Sequence, residues 1–268
     1  MDTLATRFDQ VLAQRRVERL HASLLAALIL VLAALAGFYT HLFDLKRLAE
    51  GAPAIATLAG DMMPPDFSNA ANWVKPLVDT LAMSVAGTAL AVVLSLPLGF
   101  LAARNTVPHV AIYHLVRSLL NALRSVPELI MGIVFVAAVG FGALPGVLAL
   151  GLHSVGMMGK FYAETIEHCD DKPIEAARSA GATSLQVILH AILPQATPKL
   201  ADTTLYRWEY NFRASTVMGM VGAGGIGFEL MGSLRLMQYR EVSALLIVIL
   251  VMVTLVDGLG ARLRKRLN

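Results

Sequence analysis

The sequence of 268 residues contains one cysteine, Cys169. A single thiol excludes an internal disulfide and any cysteine-based metal cluster. Charge is also scarce: Asp, Glu, Lys and Arg make up 15% of the chain, against about 25% in an ordinary soluble domain. So little charge excludes a disordered chain, an extracellular disulfide scaffold and most cytosolic enzymes. The 22 Lys and Arg are nearly balanced by 19 Asp and Glu, for a net +3, which is too even to point to a nucleic-acid partner. No paired carboxylates, metal-ligand cluster or nucleophile triad appears, so no catalytic residue and no bound metal are expected. No phosphate-binding loop appears either, so any ATP chemistry must belong to a partner. What the chain does have is apolar sequence, at 56% of its residues. A span takes about 20 residues, so this length allows roughly five to seven spans and no separate soluble domain.

The runs without charge are 22–40, 80–103, 129–159 and 242–256. The third is too long for one helix and breaks at Gly140-Phe141-Gly142-Ala143-Leu144-Pro145-Gly146, which makes it two spans joined by a tight turn. Basic residues orient the spans. Arg7, Arg15, Arg16 and Arg19 precede the first, and Arg104, Arg117 and Arg124 follow the second. Arg262, Arg264, Lys265 and Arg266 close the chain. Head, arginine-rich loop and tail are therefore expected in the cytoplasm. Two cytoplasmic ends require an even number of spans, which makes the charged segment 200–221 the sixth. The expected order is a cytoplasmic head over 1–21, a first transmembrane helix over 22–43, a periplasmic loop over 44–76 and a membrane core over 77–268. Asp2, Asp9 and Glu18 in the head argue against a cleavable signal peptide.

The polar stretch 164–198 has local signals for two short helices. Asp170 or Asp171 can cap the first, with Pro173 in its first turn. Gly181 suits the left-handed residue that closes it. Thr183 with Gln186 forms a capping box for the second, and Pro194 is expected to end it. The segment is either an amphipathic loop lying on lipid or a knob that docks a cytoplasmic partner.

Glu175-Ala176-Ala177, Gly181 and Leu193-Pro194 resemble the EAA loop of ABC importer permeases. That pattern carries an isoleucine three residues before the proline; here the position is Ala191, with Ile192 beside it. Met63-Pro64-Pro65-Asp66-Phe67-Ser68, Arg124-Ser125-Val126-Pro127-Glu128, 206–213 and 219–227 are similar to the phosphonate/phosphite importer permeases. The resemblance covers roughly residues 60–268. It implies an all-α integral membrane protein with six transmembrane helices, a type I permease of five core helices plus one N-terminal helix. It also implies a homodimer in the bacterial inner membrane among lipid, with a cytoplasmic ATPase dimer on the EAA loops and a periplasmic phosphonate/phosphite-binding protein opposite. ATP and Mg would be bound by the ATPase, and no cofactor by this chain. Glu175, Ala176, Ala177, Gly181, Leu193 and Pro194 become the expected ATPase-coupling residues.

Arg207, Glu209, Asn211 and Arg213 lie within one helical segment. A charge near the bilayer centre costs at least about 2.5 kcal/mol, so such groups face protein or water. Glu209 and Arg213 are four apart and can pair on one face, as can Arg207 and Asn211. Two readings stand: a structural pair with Arg207 snorkelling to the interface, or a cationic lining for an oxyanion path. Gly219–Gly227 holds five glycines. It reads as a flexible outer loop or as a gate built on Gly222, Gly224, Gly225 and Gly227. Glu128 is expected as a helix-start dipole partner, and His153 and Ser154 as hydrogen-bonding groups between helices.

The reading that fits best is the pore subunit of an ATP-driven importer for a phosphorus oxyanion. Import of another small anion is the alternative. A self-contained secondary transporter fits less well, because the chain is short and lacks an inverted repeat.

Overall fold

A computed structural model describes Asp2–Leu267. The side chains of 2–14, Arg16, Val17, Leu48 and Leu267 lie outside the described residues, and with them most of the arginine-bearing head. Every regular element among the described residues is helical. The chain divides into two units, Met1–Gly60 and Asp61–Asn268.

In the first unit α1 runs Asp2–Tyr39. Its part from Glu18 to Tyr39 is long and apolar enough to cross a membrane. The 44–76 segment, expected as a loop, instead carries a helix, α2 (Leu45–Asp61). Its Gly51, Pro53 and Gly60 mimic loop composition, but the helix runs through all three.

The second unit is a layer of helices that packs through small residues. Helix α3 (Val74–Ala102) continues through Pro97. Next come α4 (Val110–Ser125), α5 (Glu128–Val139) and α6 (Ala143–Glu167). The arginine-rich segment expected as a loop is thus mostly α4. Its buried Tyr113, Val116 and Leu120 recur at helical spacing, and Arg117, on the same side, lies over the Tyr113 ring at 4.7 Å. Helices α4 and α5 meet at 85° across Val126-Pro127, because a residue before proline is steered out of the helical region. Helix α5 has 12 residues and spans about 18 Å, so it reaches only part-way through hydrocarbon about 30 Å thick. Two spans split from 129–159 were expected; one of them is this half-length helix.

Lipid is as apolar as leucine, so packing rather than hydrophobicity holds membrane helices together. Helix α6 shows how. A Cβ on Gly156 would lie 2.6 Å from the Arg124 backbone nitrogen, and one on Gly159 would lie 2.6 Å from Leu120. Only hydrogen fits where α4 crosses α6. The C-terminal end of α6 is tied further by Glu167, which accepts from Arg117 Nη2 at 3.0 Å and from the Arg104 backbone N–H at 2.9 Å.

Beyond α6 stands α7 (Asp171–Ser179), and then α8 (Ser184–Val187), which passes through a π-helical turn, Ile188–Ile192, into α9 (Leu193–Met218). A second π-turn, Gly219–Ala223, leads to α10 (Ile226–Arg235), bent by 57°, and the chain closes with α11 (Tyr239–Leu267). Ala70–Ala102 and Tyr239–Arg266 also qualify as spans alone. The bent pairs α4–α5 and α8/α9–α10 qualify only as pairs.

Candidate functional site

The segment between α6 and α9 forms largely as its local signals dictate. The Asp170 side chain accepts from the Lys172 N–H at 3.1 Å and caps α7. Gly181 follows at φ +82°, and the Ala182 N–H reaches back to the Ala177 carbonyl at 3.1 Å. The Thr183 N–H donates to Gln186 Oε1 at 2.7 Å, starting α8. Ile174 is 3% exposed and packs with Val187 and Ile192, so α7 is seated by its own apolar residue. Glu175, Ala176 and Gly181 are exposed, and Ala177 is half-buried.

Pro194 does not end the second helix. It stands in the first turn of α9, and Leu193 is half-buried beside it. The wider π-turn removes the conflict, because the hydrogen bonds change register before the proline and Pro194 lacks only an N–H that no partner needs. The knob is therefore one short helix, a left-handed bend and the start of a long continuous helix.

The charged residues of α9 are all present within it, but they do not share a face. Arg207 is 6% exposed. Its Nε donates to Ser154 Oγ at 2.8 Å; Ser154 donates to Asn211 Oδ1 at 3.0 Å, and Asn211 Nδ2 to Thr88 Oγ1 at 2.9 Å. Tyr210 lies under the guanidinium at 4.2 Å and donates to Glu128 Oε1 at 2.9 Å. The other carboxylate oxygen, Oε2, stands 3.9 Å from Arg207 Nη2 and 3.8 Å from His153 Nε2. His153 Nδ1 is 3.1 Å from the Val126 carbonyl. A carbonyl only accepts, so Nδ1 carries the proton.

The expected pair Glu209–Arg213 is not made. Arg264 Nη1 donates to Glu209 Oε1 at 2.5 Å, and Arg213 Nη1 contacts both oxygens of Asp257 at 3.0 and 2.9 Å. Both acidic–basic contacts tie α9 to α11. Gly260 makes room for the first, since a Cβ there would run into the Glu209 carboxylate.

The glycine run is a structured turn and bend rather than a loose loop. Gly222, Gly224 and Gly225 take φ +106°, +80° and +72°. A Cβ on Gly227 would collide with the Thr216 carbonyl. The Ile226 N–H is bound by Thr80 Oγ1 at 2.9 Å, and the Gly222 carbonyl accepts from Gly142 at 3.2 Å. Those two groups are committed within the protein.

Glu128, His153, Ser154, Tyr210 and Thr88 complete the site around Arg207. Glu128, His153 and Ser154 stood out in the sequence as polar residues in apolar runs, but read one at a time they suggested only local bonds. Thr88 carried no such signal. Beside Glu128 and His153 a cavity of about 280 Å³ opens between α5 and α9, also lined by Tyr210, Ala214 and Val217.

Comparison with known proteins assigns the chain. The family model described as "Binding-protein-dependent transport system inner membrane component" matches residues 95–268. The chain belongs to this family. Its members are membrane permease subunits, so the role of the chain is transport and not catalysis. It is 69% identical over 239 residues to the phosphite transport system permease protein PtxC of Stutzerimonas stutzeri, covering 89% of this chain and 87% of that one. It is 43% identical to the phosphate-import permease protein PhnE of Mycolicibacterium smegmatis over 81% of this chain and 41% of that one. In fold it is similar to an inward-facing structure of the MetNI methionine ABC transporter, with TM-score 0.62, 23% identity and coverage of 73% of this chain and 96% of that one. The all-helical type I permease architecture is thereby shown.

Proposed function

We propose that the chain is the pore subunit of an ATP-driven importer that carries phosphite or a phosphonate across the bacterial inner membrane. The observation that carries this reading is the 69% identity to a phosphite permease over 89% of the chain. The site is chemically suited to that cargo. Arginine's planar fork matches phosphorus oxyanions, and Arg207 is held by Ser154 and Tyr210 beside a cavity that opens between two spans. In this reading Arg207, positioned by Asn211, supplies the cation of the path. Glu209 and Arg213 fasten α9 to α11.

The remaining parts follow in the same reading. Six spans are α1, α3, the α4–α5 pair, α6, the α9–α10 pair and α11, with both ends cytoplasmic. Helix α6 has 25 residues, enough by length. Two copies surround the path. The exposed face of α7, with Glu175, Ala176 and Gly181, meets a cytoplasmic ATPase that binds ATP and Mg. The turn through Gly222, Gly224, Gly225 and Gly227 forms the outer gate, toward a periplasmic binding protein.

The test is uptake into vesicles reconstituted with the permease, its ATPase and its binding protein. ATP-dependent entry of phosphite or methylphosphonate is expected. Entry of neither, with ATP-driven entry of a different anion, would reject the cargo. Uptake that persists without the ATPase would instead favour a self-contained carrier.

A further inference from the structure

Arg207 Nη2 and Glu128 Oε2 are both buried, and neither has a hydrogen-bond partner. They face each other at 3.9 Å, about 1 Å beyond a charge-assisted bond. A buried polar group left unsatisfied is destabilising, so a gap between two such groups calls for a third party. The adjoining cavity, about 280 Å³, has room for one.

The chemistry of its wall narrows the choice. Glu128 Oε2 only accepts when ionised. In the neutral ring, with its proton on Nδ1, His153 leaves Nε2 as an acceptor 3.8 Å from that same oxygen. Two acceptors converge, with a guanidinium behind them. A group that satisfies all three must bring a hydrogen-bond donor and a negative charge together. A singly protonated phosphorus oxyanion does so, with P–OH toward Glu128 and P–O⁻ toward Arg207. Fully ionised sulfate brings charge but no donor, and it would meet the carboxylate with its own negative oxygens.

We infer that Glu128 is a specificity-determining residue, which admits oxyanions bearing an acidic proton and turns away those without one. This rests on the importer reading above and adds a selection step inside the permease, separate from that of the binding protein. A site that accepts a bond from a ligand hydroxyl discriminates strongly against analogues lacking it, because its own acceptor is left unpaired.

The test uses the permease–ATPase complex in nanodiscs without binding protein, so that selection elsewhere does not contribute. Broadening of the phosphorus resonance of methylphosphonate reports binding, and sulfate and dimethyl phosphate serve as competitors. Dimethyl phosphate is a singly charged anion without an acidic proton. In the wild type neither competitor is expected to reverse the broadening at equal concentration. Glu128→Gln adds an amide donor and removes the charge. It is expected to let sulfate compete and to lower selectivity by about tenfold, equivalent to roughly 1.4 kcal/mol. Glu128→Asp should retain the exclusion. Competition by dimethyl phosphate or sulfate in the wild type overturns the inference, even if the Gln variant fails to assemble. So does a Gln variant that excludes sulfate as the wild type does, or a wild type that does not broaden methylphosphonate at all. In each of these cases the vesicle uptake result stands or falls separately.

Discussion

Gly181→Val isolates the conformational demand of the knob from its packing. Gly181 lies at φ +82°, and a Cβ placed there meets nothing within 4 Å. The substitution creates no collision, so its cost resides in the backbone alone. An L-residue in the left-handed region costs about 1–2 kcal/mol, and a β-branched one belongs at the upper end of a 1–3 kcal/mol range. A penalty of about 2 kcal/mol corresponds to roughly thirty-fold in the population of the bend. The bend sets α7 against α8, where Ile174 packs with Val187 and Ile192, so the exposed face with Glu175 would lose its fixed direction. Asparagine tolerates the left-handed region and provides the control. The assay is the ratio of anion imported to ATP hydrolysed in reconstituted vesicles. Wild type and Gly181→Asn should be close, Gly181→Ala lower by a few-fold, and Gly181→Val lowest, with the complex still intact. Equal ratios for valine and wild type would refute a coupling role for α7. Asparagine as damaging as valine would refute the backbone argument, since the position would then be sensing side-chain size.

Three further outcomes follow. Arg213→Gln leaves Asp257 without its bidentate partner, and thermal unfolding of the purified permease should register the loss. A cost of about 1 kcal/mol or less marks a water-facing pair, whereas about 2.5 kcal/mol or more marks a lipid-facing one; the double variant Arg213→Gln/Asp257→Asn should recover stability and transport in either case, and failure to do so would return Arg213 to the path. Burial pushes the Cys169 thiol up, so less thiolate is present at neutral pH and maleimide labelling should accelerate as pH rises through the alkaline range. In a Cys169→Ser background a cysteine at Ser68 should label from outside and one at Arg178 only from inside, and the reverse pattern would invert the topology.

Local chemistry was legible where a few neighbouring residues determine the outcome. The Asp170 cap, the bend at Gly181 and the Thr183–Gln186 start require no distant partner, and all three form. Pro194 was misread because a proline reads as a helix stop unless the hydrogen-bond register changes first, and the π-turn over Ile188–Ile192 does that. Helix α4 was hidden by its arginines, although Tyr113, Val116 and Leu120 marked a buried stripe. The half-length α5 was hidden for the opposite reason: its run is apolar throughout, so hydropathy did not register the break at Val126-Pro127.

The charges of α9 show what spacing alone can and cannot decide. Residues four apart share a face of a helix, and residues two apart stand about 200° round from each other. Arg207 and Asn211 therefore turn to one side, and Glu209 and Arg213 to the other. The spacing permits a Glu209–Arg213 bond, but it says nothing about the competing partners that α11 brings. Asp257 and Arg264, seven residues apart, present the matching charges. Each ion of the outer pair then finds an opposite charge across the interface at 2.5–3.0 Å, closer than a surface pair along one helix needs to be. The other side has no such exchange. There Arg207 is bonded through Nε to a neutral hydroxyl, and its nearest carboxylate is held off by 3.9 Å. A helix whose two faces carry the same residue types thus divides them by neighbour. On one face the charges cancel and fasten the helix. On the other a guanidinium stands without a close carboxylate beside a cavity, and that is the face the importer reading assigns to the anion.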